Sequence, residues 1–299
     1  MDKITKKFRD YHDKCSRRID DDGNYIPHQS VYEFSPKYIQ NFTRAYAILN
    51  IMDKLNFQSF VEIGCAEGCF PNIIRKRFAV PVFGSDFSKE AVSRMRDIFD
   101  IDGFSADGTT LPLKNKCVDL VLCTEVLEHM TNPEKAAKEL IRIAGKYLIV
   151  TVPAANSKKE QNEFVPDYNL IRDGHLHLFT EHDLRNIFGP CIIIGCDSLK
   201  MKYINAAYRR IGNIFPSGFA GIIFYLDRVL SKKTKNVRHF IVIKNFDQDG
   251  RNKEYDFIMH NNTSLTKLLT KDIYKYARKI KLKSKKRYEF MGYTIAGKD

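Results

Sequence analysis

The sequence contains no apolar run of the ~18 residues that a membrane-spanning helix needs. The longest candidate, residues 219–226, is short and is followed directly by Asp227 and Arg228. Residues 1–7 include three lysines and lack the apolar core of a secretory signal. These absences predict a cytoplasmic protein, with peripheral attachment to a membrane as the alternative.

Cysteine pairs at zinc-binding spacing are also missing. Seven cysteines are spread along the chain, several of them in apolar, strand-like runs. Cys65 and Cys69 have a loose metal-like spacing, but no second Cys or His pair follows at the spacing of a zinc site. The odd number and the apolar surroundings predict free thiols in a reducing compartment.

Negative charge is in the minority, because 36 acidic residues face 49 Lys and Arg, giving a net charge of +13. Such an excess favours anionic partners such as nucleic acid, an acidic membrane surface or phosphorylated substrates. Residues 263–287 hold ten Lys and Arg against one acid, Asp272, with leucines at helical spacing. They are predicted to form a basic amphipathic helix that contacts RNA or an anionic membrane surface, or packs on the domain with its lysines in water.

Strand-like and helix-like segments alternate through the middle of the chain. Seven apolar runs indicate strands, at 60–63, 80–84, 103–105, 118–123, 147–152, 191–195 and 239–243. Helical patterns occur at 36–55, 70–77, 88–99, 133–144 and 180–188. This alternation is typical of an α/β, Rossmann-like fold with a mainly parallel sheet and helices on both faces.

Other segments flank or interrupt this alternation. Residues 1–35 are polar and charged, and they are predicted to form an arm or a lid over a site. The core domain is predicted to span 36–247, with a helical, aromatic and basic insertion at 200–235. Residues 248–299 are predicted to be a basic C-terminal extension.

A glycine-containing turn follows the first strand of this pattern. Gly64 and Gly68 lie between the strand at 60–63 and the next helix, where glycine lets the backbone approach a ligand closely. Asp86 follows Gly68 by 18 residues, after a second strand, and a carboxylate there can accept both hydroxyls of a ribose. The loop lacks Gly-x-Gly-x-x-Gly spacing, which argues against a dinucleotide fold and favours another adenosine-type cofactor.

Four blocks, in the right order and spacing, resemble the class I S-adenosylmethionine (SAM)-dependent methyltransferases, especially their small-molecule branch. The blocks are 62–68, 85–88, 106–113 and 119–129. The resemblance runs from about residue 47 to 188, with a final strand near 239–245. It implies SAM as the cofactor and a seven-stranded sheet whose last strand is antiparallel.

The resemblance also implies a set of cofactor contacts. Glu62 and the backbone of Gly64 would meet the amino-acid end of the cofactor, Asp86 the ribose, and Asp107 the adenine amine. The full set is Glu62, Gly64, Ala66, Gly68, Asp86, Phe87, Asp107, Gly108 and Thr124. Ala66 stands where the family usually has glycine, and its methyl group is expected to narrow the turn without abolishing binding.

Acidic and imidazole side chains follow the fourth block. Glu125, Glu128 and His129 are spaced i, i+3, i+4, which on a helix places them on one face. His129 or His177 is a candidate general base for an O-methylation, although His175 and His177 also suit purely structural roles. The segment also resembles the metal-binding set of ubiquinone-pathway O-methyltransferases and of small-RNA 2′-O-methyltransferases. This resemblance implies that Mg²⁺ or another divalent cation would instead be held by Glu125, Glu128 and His129. A third interpretation is that the segment only begins the next helix.

These observations favour methyl transfer from SAM to the hydroxyl group of a small-molecule, glycan or lipid-linked acceptor. An RNA methyltransferase of the metal-assisted 2′-O type is the alternative that the positive charge supports. A SAM-binding regulator without catalysis is another. The insertion at 200–235 and the arm at 1–35 are expected to determine the choice of acceptor.

Overall fold

A computed structural model describes residues 3–21, 23, 25–26, 39–171, 174–198, 222–227, 229–231, 236–246, 287–290 and 293–296. Of the predicted insertion, residues 222–227 and 229–231 are described, and they are helical. The predicted basic helix lies outside the described residues except for Arg287, which belongs to a strand.

Seven strands form one sheet, which confirms the predicted number. They are β2 (Phe60–Ile63), β3 (Val82–Asp86), β4 (Gly103–Ser105), β5 (Val118–Thr124), β6 (Ala144–Pro153), β7 (Ile192–Cys196) and β8 (His239–Asn245). Their order is β4-β3-β2-β5-β6-β8-β7. The strands from β4 to β6 pair in parallel, whereas β8 is antiparallel to both β6 and β7, as the resemblance implies.

Helices cover both faces of this sheet because successive side chains of the central strands are apolar and point to opposite faces. Phe60, Leu120 and Leu122 belong to one hydrophobic cluster, whereas Val61, Val121 and Cys123 belong to the other. The first cluster packs against α2 (Ile39–Met52), α3 (Cys69–Phe78) and α4 (Lys89–Phe99). The second packs against α5 (Pro133–Ile143) and α7 (Glu181–Phe188). The period of two along the strands therefore produces the three layers of the fold.

The helices begin where the sequence provides caps. Ser88 Oγ accepts a hydrogen bond from the backbone N–H of Ala91 at the start of α4. Asn132 does the same for α5, whose first residue is Pro133. Both arrangements satisfy backbone donors that a helix cannot pair internally.

A second, smaller sheet joins the two ends of the chain. It contains β1 (Arg18–Ile19), β9 (Arg287–Phe290) and β10 (Tyr293–Ala296), all antiparallel, with β10 in the centre. Helix α1 (Lys3–Cys15) precedes β1, and the short helix α6 (Lys158–Glu163) follows β6. The C-terminal strands were not predicted, because aromatic residues among many lysines indicate no strand pairing on their own.

All seven cysteines are free thiols, as predicted. Five of them are buried, and burial raises the pKa values of these thiols, which makes them unreactive members of the core. Within the described parts of the chain, no helix combines the length and the apolar character needed to cross a bilayer.

The strand order creates a crevice at the carboxyl ends of β2 and β5. The chain proceeds outward from β2 to β3 and β4, and then returns to β5 on the opposite side of β2. Ligands of open α/β sheets bind at such a switch point.

Candidate active site

A cavity of 450 Å³ lies at this switch point. Most of the predicted site residues line it, namely Gly64, Ala66, Asp86, Phe87, Asp107, Gly108, Thr124, Glu125 and His129. Glu62, Gly68, Glu128 and His177 do not. The cavity has the volume of a site for a small molecule or cofactor.

The backbone conformation of the turn after β2 suits glycine at positions 64 and 68, but it is strained at Ala66. Gly64 has φ +82°, and a Cβ there would lie 2.2 Å from Cγ2 of Val126. Gly68 has φ +79°, and a Cβ would collide with Met95, so this glycine serves packing rather than the cavity. Ala66 also adopts a left-handed φ of +45°, which is strained for alanine. The departure from glycine at position 66 therefore carries a conformational cost.

Asp86 connects this turn to the end of β3. Its Oδ2 accepts a 2.8 Å hydrogen bond from the N–H of Ala66, and its Oδ1 accepts one of 2.8 Å from the N–H of Ser88. Burial raises the pKa of Asp86 to about 6, although both backbone donors oppose this shift. Each carboxylate oxygen keeps a lone pair for a further donor, so the group can accept the hydroxyls of a ribose.

Glu62 lies behind the cavity wall. It is fully buried, and its Oε1 accepts a 2.8 Å hydrogen bond from Oγ1 of Thr124, a residue that lines the cavity. Its Oε2 has no hydrogen-bond partner among the described residues. Burial raises the pKa of Glu62 to about 8, so the carboxyl group is mostly protonated at neutral pH.

Asp107 and Gly108 form the cavity wall beyond β4. Oδ1 of Asp107 accepts a 2.9 Å hydrogen bond from the N–H of Thr109, which fixes the carboxylate in a turn. A Cβ on Gly108 would lie 2.4 Å from Cε of Met130. The absence of a side chain at Gly108 therefore keeps this wall compact.

Helix α1 lies over the cavity. Ile4, Thr5, Phe8, Tyr11 and His12 line it from this side. Two contacts attach the helix region to α4: Ser88 Oγ donates a 2.5 Å hydrogen bond to Asp13, and Arg17 pairs with Glu90 at 3.3 Å. The sequence identified residues 1–35 as an arm or lid, but it did not identify the residues of α1 that contact the cavity. In the sequence these residues are marked by the apolar face of a short helix. Such a face is equally typical of a helix that only packs on the domain.

Residues 127–129 form a single 3-10 turn, so the prediction of one helical face for Glu125, Glu128 and His129 is wrong. Glu125 precedes this turn with a left-handed φ of +54°. Its Oε1 accepts from Thr151 Oγ1 at 2.8 Å, and its Oε2 lies 3.3 Å from Nη1 of Arg44 and 3.1 Å from Nε2 of His239. Glu125 is therefore paired with Arg44 and His239, and it is not part of the group of possible metal ligands that contains Glu128 and His129.

His129 is fixed in one tautomer at the cavity wall. Its Nδ1 lies 3.0 Å from the carbonyl oxygen of Gly174, which can only accept, so Nδ1 carries the hydrogen. Burial, together with the neighbouring His175 and His12, lowers the pKa of His129 to about 4. The imidazole is neutral at pH 7, and its Nε2 holds a lone pair.

The structure places His175, rather than His177, beside His129. The rings of His129 and His175 are 4.8 Å apart. His177 instead donates a 2.9 Å hydrogen bond from Nε2 to the carbonyl oxygen of Met130 and lies outside the cavity. Alternation along an extended segment separates the two histidines, and the sequence did not reveal which one lies beside His129.

Oε1 of Glu128 lies 3.9 Å from Nε2 of both His129 and His175. These three ligand atoms are within 4.8 Å of one another, so they could hold a metal ion. The group shares Glu128 and His129 with the predicted set, and His175 takes the place of Glu125.

The parallel sheet, the glycine turn and the acid-lined cavity at the switch point define a class I SAM-dependent methyltransferase. The profile of a methyltransferase domain family matches residues 8–189. This match covers more than half of the chain, and the chain belongs to that family. It is therefore an enzyme that takes a methyl group from SAM and transfers it to an acceptor.

Two named methyltransferases are among the curated relatives. An uncharacterized protein of Methanocaldococcus jannaschii is 27% identical over 249 residues, which cover 80% of this chain and 98% of that protein. Norajmaline N-methyltransferase of Rauvolfia serpentina is 30% identical over 94 residues, which cover 29% of this chain and 32% of that enzyme. Tocopherol O-methyltransferase of Arabidopsis thaliana is 23% identical over 197 residues, covering 55% of this chain and 57% of that enzyme. The chain thus spans about a third and about half of these two named enzymes.

The fold itself is shared with the cyclase SpnF. Its crystal structure superimposes with a TM-score of 0.51 and 13% identity, over 81% of this chain and 96% of that protein. At this level of identity, the similarity concerns the fold alone.

Proposed function

We propose that this methyltransferase acts on a hydroxyl group of a small-molecule, glycan or lipid-linked acceptor, and that His129 accepts the hydroxyl proton. The observation that carries the proposal is the neutral, oriented imidazole of His129 at the wall of the cavity. A hydroxyl must lose its proton when it takes up a methyl group, so a positioned base accelerates the reaction.

The lowered pKa of His129 has two opposite effects on its action as a base. It keeps Nε2 unprotonated throughout the neutral range, so the base form is always available. It also makes the imidazole a weak base. Such a base acts best once the acceptor oxygen has begun to bond to the methyl group, because the hydroxyl proton is then more acidic. SAM supplies that methyl group on a sulfonium, which is electrophilic without further activation. The task of the protein is then alignment of the acceptor and removal of the proton.

The cofactor contacts are part of this proposal. Asp86 would accept the ribose hydroxyls, and Asp107 would accept the adenine amine. The amino-acid end would lie at the turn of Gly64 and Thr124, with Glu62 behind it. The free lone pairs of Asp86, the Cβ-free wall at Gly64 and the buried carboxyl group of Glu62 all fit such a ligand.

Methyl transfer from SAM labelled in its methyl group tests the proposal. Hydroxyl compounds, including phenols, sugars and polyprenyl-linked alcohols, would each be paired with the amine of the same skeleton. We expect label in hydroxyl compounds, and a loss of about 100-fold or more in His129→Asn. His182→Asn, an exposed histidine of α7, is the matched control. Label in the amines alone would contradict O-methylation.

Metal-assisted transfer to the 2′-hydroxyl of RNA is a second candidate, and the convergence of Glu128, His129 and His175 favours it. Metal ligands at about 2.1 Å from a tetrahedral ion lie about 3.4 Å apart, so the observed 3.9 Å separations need only small closure. In that case His129 would be a ligand rather than the base, and the ion would acidify the hydroxyl. Calorimetric titration of the protein with Mn²⁺ and Zn²⁺, compared with His175→Ala, distinguishes the two: no metal binding at micromolar concentration leaves only the first candidate.

A further inference from the structure

A line of charged side chains leads from the cavity into the protein behind it. His239, the first residue of β8, has its Nδ1 2.7 Å from Oδ2 of Asp197. Its Nε2 lies 3.1 Å from Oε2 of Glu125 and 3.2 Å from Nη1 of Arg44. Because the carboxylate of Asp197 can only accept, Nδ1 carries a hydrogen, and Nε2 lies between the carboxylate of Glu125 and the guanidinium of Arg44. Burial and the charge of Arg44 lower the pKa of His239, but Glu125 and Asp197 outweigh both effects and raise the pKa to about 9, so the ring is an imidazolium at neutral pH.

Asp197 is in turn fixed from three directions. It accepts a hydrogen bond from Oγ1 of Thr43, and it accepts the bond from His239 on its other oxygen. Its backbone N–H donates to Oδ2 of Asp227 at 2.8 Å. Asp227 belongs to the helical residues 222–227, within the predicted acceptor-determining insertion. The line of charges therefore connects that segment to the cavity.

Glu125 is held as an ion at the cavity end of this line. Burial opposes ionisation, but Arg44 and His239 outweigh it and hold the pKa of Glu125 well below its usual range. The carboxylate can therefore only accept hydrogen bonds. Its Oε1 receives one hydrogen bond, from Thr151, and keeps a lone pair. The left-handed backbone of this non-glycine residue is strained, as is common where a side chain is held for function.

The position of Glu125 along the sheet edge indicates what it faces. Asp107 follows β4, Asp86 ends β3, Gly64 follows β2, and Glu125 follows β5. With adenosine over β4 and β3 and the amino-acid end over β2, as the proposed function has it, Glu125 is the first charged side chain on the side away from the ribose. On this side the cavity is also lined by Arg44 of α2.

We propose that Glu125 binds the O–H or N–H group of the methyl acceptor, and that His239 and Asp197 are positioning residues that hold its carboxylate at the cavity wall. This inference rests on the proposed function. Under this inference Glu125 is not a metal ligand, because its carboxylate pairs with Arg44 and His239.

Two SAM analogues test the inference without knowledge of the acceptor. S-adenosylhomocysteine lacks the methyl group and the charge on sulfur. Sinefungin carries an ammonium-bearing carbon in place of the sulfonium and its methyl group, so it presents N–H donors where the acceptor would approach. Dissociation constants of both would be measured by calorimetry at pH 7 for wild type, Glu125→Gln, His239→Gln and Asp197→Asn. His182→Gln, an exposed histidine of α7, is the control.

The wild-type protein is expected to bind sinefungin about tenfold more tightly than S-adenosylhomocysteine, because the ammonium pairs with an ionised carboxylate. Glu125→Gln should abolish this preference, and His239→Gln and Asp197→Asn should reduce it by about threefold or more, all with unchanged affinity for S-adenosylhomocysteine. The unchanged affinity shows that each variant is folded, and a merely structural role would not alter the ratio selectively.

Equal affinity of the wild-type protein for the two ligands overturns the inference without any variant. Equal weakening of both ligands in Glu125→Gln overturns it as well. Neither result affects the proposed methyl transfer. If neither ligand binds the wild-type protein, the proposed function fails, and this inference fails with it.

Discussion

The backbone N–H of Ala66 donates a 2.8 Å hydrogen bond to Oδ2 of Asp86, so the turn after β2 and the acid that ends β3 form one unit. Asp86 thus has two tasks. It holds the turn in its left-handed conformation, and it presents its remaining lone pairs to the cavity. A change at either residue is expected to affect both the shape of the turn and the binding of the cofactor.

Replacement of Asp86 by Ala should weaken binding of S-adenosylhomocysteine by about 100-fold, because two charge-assisted hydrogen bonds to the ribose and the support of the turn are lost together. Calorimetric titration measures this change. Asp102→Ala, at a side chain that is 81% exposed, is the control and should bind as the wild type does. Unchanged affinity in Asp86→Ala would disprove the assignment of the ribose to this carboxylate.

Replacement of Ala66 by Gly should stabilise the protein. Relief of a left-handed alanine gains about 1–2 kcal/mol, and the greater freedom of glycine in the unfolded chain offsets about 0.5–1 kcal/mol of it. Urea unfolding should therefore show a net gain of about 0.5–1 kcal/mol. Ala137→Gly, inside α5, should show a loss of about 1 kcal/mol instead. Destabilisation by both substitutions would mean that the methyl group of Ala66 contributes more to packing than it costs in strain.

The stability of the protein should depend on the titration of Glu62. Its pKa in the folded state is about 8, above the usual 4.5, so the folded state binds more protons than the unfolded state between these values. The contribution of this group is complete below pH 4.5 and is lost as pH rises towards 8, with a slope of at most about 1.4 kcal/mol per pH unit. Glu62→Gln cannot ionise, so its stability relative to the wild type should rise between pH 5 and pH 8 in urea unfolding.

The difference between variant and wild type is the useful quantity here, because other groups titrate in the same range. His239 also loses its contribution as pH rises from 6.5 to about 9, but it does so in both proteins. A difference that stays constant from pH 5 to pH 9 would contradict the buried, uncharged state of Glu62.

Helix α1 should retain the cofactor through its apolar face. Phe8 is buried and lines the cavity, so Phe8→Ala should both weaken S-adenosylhomocysteine binding and speed hydrogen exchange in residues 3–15. The measurements are calorimetry and mass-detected hydrogen exchange. Lys6→Ala, at an exposed position on the same helix, should change neither. Faster exchange with unchanged affinity would show that α1 lies over the cavity without holding the ligand.

Local patterns predicted the turn and the acid at the cavity because each of them is encoded by adjacent residues. A short apolar run, two glycines and a helix start specify the turn at 64–68, and an acid after the next strand specifies Asp86. The seven strands were predicted to within a few residues for the same reason, since apolar runs separated by capped helices leave few other arrangements.

The surroundings of Glu125 were less predictable because they come from distant parts of the chain. Arg44 is in α2, Asp197 follows β7, and His239 begins β8, and only the antiparallel pairing of β8 with β6 and β7 brings them to Glu125. The spacing of Glu125, Glu128 and His129 suggested a helix, but the backbone of Glu125 is left-handed and a 3-10 turn follows. No local pattern distinguishes these two conformations.

A crystal structure of the protein with S-adenosylhomocysteine tests the central claim most directly. We predict that the nucleoside occupies the 450 Å³ cavity, with its ribose hydroxyls within hydrogen-bond distance of Asp86 and its sulfur on the side of Glu125. A cavity without the ligand at saturating concentration, or a ribose placed away from Asp86, would contradict it.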